Sequence, residues 1–112
     1  MQIVQNTITR DELRGIAKNL FGDMVKAVVD VENEILAVDA ELHADLESLL
    51  LQQGSKQANL WGINLYPEFP ENQFIEFDSL INIRPSVGNK SRNVENAQLC
   101  KRIIEIVSKR IQ

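Results

Sequence analysis

The chain has 112 residues, 44% of them apolar, with 12 Lys plus Arg against 16 Asp plus Glu for a formal charge of −4. For a mass of 12.7 kDa, surface scaling gives about 6,200 Å² exposed when folded against about 18,400 Å² unfolded, enough burial for one core without disulfide or metal staples. A single domain over residues 1–112 is therefore expected, and a membrane-spanning helix is excluded because the longest apolar run, Ile35–Val38, is far short of about 20 residues.

A sole cysteine, Cys100, rules out an intrachain disulfide and a multi-cysteine zinc site, and it fits a reducing compartment. A sole histidine, His43, rules out two-histidine metal motifs. No cofactor is expected. The N-terminus has no apolar leader, which points to a soluble cytoplasmic protein. Charge is uneven along the chain: Met1 to Ile83 carries five bases and 14 acids, whereas from Arg84 onward seven bases face only Glu95 and Glu105. A basic tail helix is expected to dock on the acidic body of its own chain or of a second copy. An isoelectric point near 5.0 and 5% aromatic residues argue against nucleic-acid binding.

The elements are read in chain order. Thr9 and Glu12 have capping-box spacing, Ile8 and Leu13 can form a hydrophobic staple, and Leu13, Ile16, Ala17, Leu20 and Phe21 line one face. A first helix follows, stopped by Gly22. Met24–Val31 and Ile35–Val38 are rich in β-branched residues and flank Glu32, Asn33 and Glu34, where Asn33 tolerates a left-handed turn. That pattern is a β-hairpin. Asp39 is the expected cap of a second helix to about Gln53, with Leu42, Leu46, Leu49 and Leu50 at helical spacing and Gly54 as its stop.

Trp61, Ile63 and Leu65 alternate with Gly62, Asn64 and Tyr66 in a third strand ended by Pro67. From Phe74 to Arg84 the odd positions Ile75, Phe77, Ile81 and Ile83 are apolar, which predicts a returning strand pairing Ile63 with Phe77 and Asn64 with Glu76. A last helix from about Val94 to Ile111 is expected, capped by Asn93, with Leu99, Cys100, Ile103, Ile104, Val107 and Ile111 as its apolar stripe. The order is helix, β-hairpin, helix, β-hairpin, helix, with Ile3–Gln5 as an extra edge strand. This is an α+β fold, a mainly antiparallel sheet with helices packed on one face.

Several strings occur together that are uncommon one by one: residues 21–30 (FGDMVKAVVD), 41–45 (ELHAD), 60–67 (LWGINLYP) and 79–85 (SLINIRP), followed by Gly88-Asn89. In these the chain resembles a family of small uncharacterised bacterial and archaeal proteins. The resemblance covers nearly the whole chain and departs at Glu34, where the family pattern has a glycine. It implies a stand-alone prokaryotic domain and carries no catalytic assignment.

Chemistry could reside in three places. Asp39, Glu41, His43 and Asp45 form an acidic helix start, where Glu41 and Asp45 would share a face and repel unless a cation lies between them. His43 would sit about 200° round the helix from Glu41, so the three cannot form a simple same-face triad. An exposed acidic face and a packed histidine are the plainer readings.

The second place is Asn64, Asn82 and Arg84 with the segment Gly88, Asn89, Lys90, Ser91 and Arg92. Asparagine is uncommon in strands, and a basic loop entering a helix attracts carboxylate or phosphate. The plainer reading pairs Arg84 with Asp78 or Glu76 and bonds the asparagines to loop backbone. The third is an aromatic cluster of Trp61, Tyr66, Phe69 and Phe74, with Phe69 near a loop tip as a possible anchor.

The leading expectation is a non-enzymatic module binding a small anionic ligand or a protein partner, with homodimerisation open. Arg84 would be the main anion contact, Asn64 and Asn82 would orient the ligand, and Asn89, Ser91 and Arg92 would line its entrance. Two alternatives stand beside it. One is a small metal-dependent hydrolase or nuclease-like enzyme, with Glu41 and Asp45 on a divalent ion and His43 or Asp39 as base. The other is a structural homo-oligomeric subunit.

Overall fold

The computed structural model describes residues 1–112, and its exposed surface of 6164 Å² agrees with size scaling. The chain runs β1 (Gln2–Val4), α1 (Arg10–Asn19), β2 (Val25–Asp30), β3 (Ile35–Val38), α2 (His43–Gln52), β4 (Leu60–Leu65), β5 (Ile75–Glu76) and α3 (Ala97–Arg110). The strands form one sheet in the order β1-β3-β2-β4-β5, antiparallel at every pairing. No helix is long and apolar enough to cross a membrane.

Local chemistry starts α1 where the sequence predicts. The Thr9 hydroxyl accepts from Glu12 N at 3.0 Å and Glu12 Oε1 accepts from Thr9 N at 3.2 Å, so two otherwise unpaired donors are satisfied reciprocally. Ile8 and Leu13 are both buried behind this cap.

Side-chain alternation then sends the strands' apolar residues two ways. Ala27, Val29, Leu36, Val38, Ile63 and Leu65 meet Leu13 and Ala17 of α1 and Ile103, Ile106 and Val107 of α3 in the main core. Val28, Ala37 and Leu60 face the other way and pack against Leu46 and Leu50 of α2. The helices thus cover both faces of the sheet, not one as expected. β2 carries the reason: only Lys26 interrupts its burial, and a strand buried on both sides needs cover on both.

Three other expectations shift. The first concerns α2, which begins at His43 rather than Asp39; its cap position, Leu42, makes no side-chain bond, and Asp39 instead takes a left-handed φ of 74°. The second concerns α3, which begins at Ala97, where Asn96 rather than Asn93 accepts from Leu99 N. The third is the left-handed residue of the β2–β3 turn, which is Glu34 at φ 57° and not Asn33. Asn33 instead donates to Asp30 Oδ2 at 2.8 Å.

The basic tail docks on this turn of its own chain. Lys109 Nζ and Arg102 Nη2 reach the Glu34 carboxylate at 3.0 and 3.3 Å, and Arg110 Nε donates to Glu34 O at 2.7 Å. Past α3, Ile111 pairs in parallel with Ile8, which brings the C-terminal residues against the entry to α1.

Candidate functional site

The returning strand is much shorter than its apolar alternation predicts. Asn64 does pair with Glu76, but β5 holds only Ile75 and Glu76, and Leu80–Asn82 is a 3-10 turn. The chain changes sides of the sheet here: Phe77 packs with the α1 and α3 core, Ile81 with the α2 core. Ser79 sets the bend, its Oγ accepting from Ile81 N.

Two side chains complete the β4 edge that β5 leaves uncovered. Asn82, fully buried, accepts from Gly62 N at 2.8 Å and donates to Gly62 O at 2.9 Å, so its amide imitates the missing strand's peptide group. It also donates to Arg92 O at 3.0 Å. Farther along, Arg84 donates to Leu60 O, pairs with Glu47 at 3.6 Å and lies over the Trp61 ring at 4.7 Å. Burial pulls its pKa down while Glu47 opposes that. Arg84 Nη2 is thus held within the fold, while its buried Nη1 has no hydrogen-bond partner.

The basic loop is also satisfied internally. Asn89 Nδ2 donates to Asn82 O and Asn93 O, each at 2.7 Å, and its Oδ1 accepts from Glu95 N at 2.9 Å. Gly88, at φ 85°, makes the turn that lets Arg84 and Asn89 pair. Where an incoming anion was expected, Glu95 supplies its own carboxylate, accepting from Lys90 N and Ser91 Oγ at 2.8 Å each. The Ser91 and Lys90 bonds hold its carboxyl below the usual range.

At the acidic helix start the residues separate. Asp39 lies 3.9 Å from the N-terminal amine. Glu41 and Asp45 are exposed, and Glu41 precedes α2, so the shared helical face does not form. No three His, Cys, Asp or Glu side chains converge as a metal site would need. Cys100 gives its thiol to Val94 O at 3.1 Å, and burial raises its pKa. Of the aromatics, Trp61 and Phe74 are buried, while exposed Phe69 stacks on Tyr66 with ring centres 5.1 Å apart.

His43, Asn64 and Arg92, drawn from both predicted clusters, come together instead with Lys26, Asp78 and Ser79 around a cleft of about 180 Å³ beside the start of α2. Gly62 lies against two of its lining residues, Ser79 and His43. A Cβ there would lie 2.5 Å from Ser79 Cβ and 3.2 Å from His43 Cδ2, so a glycine is what lets both side chains approach the sheet. His43 is buried, with Nε2 2.8 Å from Ile63 O. That carbonyl can only accept, which puts the proton on Nε2 and leaves Nδ1 a lone-pair acceptor. Burial lowers the imidazole pKa below its ordinary value, the Ile63 bond only partly opposing, so the ring is neutral at pH 7.

Asn64 is 6% exposed and donates Nδ2 to Glu76 Oε1 at 2.8 Å and to Asp78 O at 3.4 Å. Both partners are acceptors, which fixes the amide orientation and leaves Oδ1 buried without a donor. Glu76 also accepts from Tyr66 OH at 2.9 Å; burial and this carboxylate push the phenol up to about 12. Lys26 pairs across the strands with Asn64 and has Phe21 beneath its ammonium at 5.3 Å. No carboxylate lies within ion-pair distance of it, whereas Arg92 Nε holds Asp78 at 2.6 Å. Sequence reasoning missed Lys26, Asp78 and Ser79. The signals available were a lysine inside one apolar strand and a glycine inside another.

The chain matches, over residues 2–110, the family described as protein of unknown function (DUF5674). No curated protein and no solved structure matches it. The family match leaves out only Met1, Ile111 and Gln112, and it takes in every strand, every helix and all residues around the cleft. The chain therefore belongs to the DUF5674 family of proteins of unknown function.

Proposed function

We propose that this protein is a non-enzymatic module that holds a small molecule bearing an anionic group in the cleft between the start of α2 and residues 78–81. The supporting observation is that Asn64, whose buried carbonyl oxygen has no donor, lines the cleft together with Lys26, a lysine that has no carboxylate partner. An unpaired buried acceptor costs about 1–3 kcal/mol, a cost that a ligand's N–H or O–H would remove. Lys26 and Arg92 supply positive charge for the anionic group. The proposed anion contact is Lys26 rather than Arg84, whose Nη2 is held by Leu60 O and Glu47.

A thermal-melt screen of carboxylates, phosphate and nucleotides against wild type and Lys26→Ala tests this. A ligand at 100 times its Kd adds about 2.7 kcal/mol, a rise of several degrees in Tm for a chain of this size. The rise should be lost in Lys26→Ala. If no compound raises Tm, or the rise survives the substitution, the reading is wrong. A protein-binding role is the second reading, favoured by the exposure of Leu80 (68%), Val87 (62%) and Leu42 (56%) on neighbouring turns.

A further inference from the structure

The hydrogen-bonding capacity left around the cleft is unequal, and this specifies more than an anion. Asn64 Oδ1 has no donor, His43 Nδ1 is an acceptor with no partner in the chain, and Asp78 uses only Oδ1 on Arg92. Three residues with a free acceptor atom and two cations, Lys26 and Arg92, thus line the same cleft, Arg92 in contact with Asp78. A ligand made only of acceptors, such as a simple carboxylate or a fully ionised phosphate, would leave Asn64 Oδ1 as unpaired as before. A simple amine would have no use for Lys26.

Size narrows the choice further. The volume of about 180 Å³ lies below the range of about 300–1,000 Å³ that takes drug-sized ligands and nucleotides. Leu42, Ala44 and Leu80 give the cleft an apolar wall.

Resting on the reading of this cleft as a ligand site, we propose that its ligand is a free amino acid. The ammonium donates to Asn64 Oδ1, His43 Nδ1 and Asp78, the carboxylate meets Lys26 and Arg92, and a small apolar side chain lies along Leu42, Ala44 and Leu80. An ammonium has three donors for the three acceptors, a 2-hydroxyl has one, and an unsubstituted acid has none.

The test uses the wild-type full chain, so it does not depend on whether a variant folds. Each of the twenty L-amino acids is titrated by calorimetry, and the tightest is compared with the 2-hydroxy acid and the unsubstituted acid of the same skeleton; for alanine these are lactate and propionate. The expected order is amino acid, then hydroxy acid, then unsubstituted acid, with at least tenfold between the first and the last. Equal affinity for the amino and unsubstituted acids overturns the proposal while leaving the anion-binding reading intact. No heat with any amino acid also overturns it, and if propionate, lactate and phosphate are silent too, the anion-binding reading falls with it. In Lys26→Ala every carboxylate should weaken by a similar factor, so the ratio of amino to unsubstituted acid should persist; a collapse of that ratio counts against the assigned orientation.

Discussion

Gly62→Ala puts one methyl group where β4, the Ser79 bend and the His43 ring meet. In the unaltered structure the added Cβ would stand 2.5 Å from Ser79 Cβ, 2.6 Å from Ser79 Oγ and 3.2 Å from His43 Cδ2. Carbon atoms in contact sit about 3.5–4.0 Å apart, so Ser79 and Gly62 must separate by about 1 Å. Neither backbone is free to do so. The Asn82 amide holds Gly62 on both N and O, and Ser79 N donates to Arg92 O at 3.0 Å.

Overpacking of a tight site costs about 1–3 kcal/mol, and the pinned neighbours place this case near the upper end. For a domain slightly over 100 residues that lowers Tm by about 4 °C per kcal/mol, or about 8–12 °C in all. Thermal and urea unfolding of wild type, Gly62→Ala, Ser79→Gly and the double variant would measure it. Removing both offending Ser79 atoms should recover much of the loss, giving a coupling above about 1 kcal/mol between the two sites. A Gly62→Ala protein within about 0.5 kcal/mol of wild type, or additive behaviour in the double variant, would refute this account of the glycine.

Arg84→Ala leaves Leu60 O without its donor, Glu47 without its partner and Trp61 without its stacked cation. Urea titration should read a loss of about 2–4 kcal/mol, while affinity for a cleft ligand stays within twofold; a stable protein with abolished binding would restore Arg84 as the ligand contact. His43 is the sole histidine, and its pKa is lowered in the fold. Below the ordinary value of about 6.5 the unfolded chain takes up a proton that the buried ring refuses, so this stabilisation is complete above that pH and is lost as pH falls toward the lowered folded value. His43→Gln should flatten the stability profile as pH falls below about 6.5, and an unchanged slope would show that another group produces it.

Periodicity and caps predicted most of the architecture because they act locally. The Thr9–Glu12 box and the β2–β3 hairpin each depend on residues within a few positions of one another, whereas the α3 stripe was placed only in part, since Ile104 is exposed and Ile106 is buried in its stead. What failed depends on partners distant in the chain. Phe74–Arg84 has the alternation of a strand, yet its apolar residues alternate because the segment serves the core on one side of the sheet with Phe77 and on the other with Ile81. Likewise β2 already carried the warning against a one-faced sheet, since VKAVVD has too few polar positions for one wet side. Glu34 took the left-handed position that propensity gave to Asn33, because its backbone and side chain are held by Arg110, Lys109 and Arg102 from the far end of the chain.

The polar row that looked like a ligand site divides along the same line. Asn82 has its hydrogen bonds in pairing with β4 and loop backbone, and Arg84 gives Nη2 to Leu60 O while its buried Nη1 has no partner; the two mark the point where side chains replace a strand. Asn89, Ser91 and Glu95 close a loop on itself in a similar way. Asn64 differs in one respect, that its donors are used and its acceptor is not. An asparagine's presence in a strand therefore did not distinguish scaffold from site; the distinction lies in whether its full hydrogen-bonding capacity is met within the fold. The proposed binding surface is the face of β4 beside α2, where Asn64 with its unpaired acceptor, a neutral imidazole and a lysine without a carboxylate partner line one small cleft.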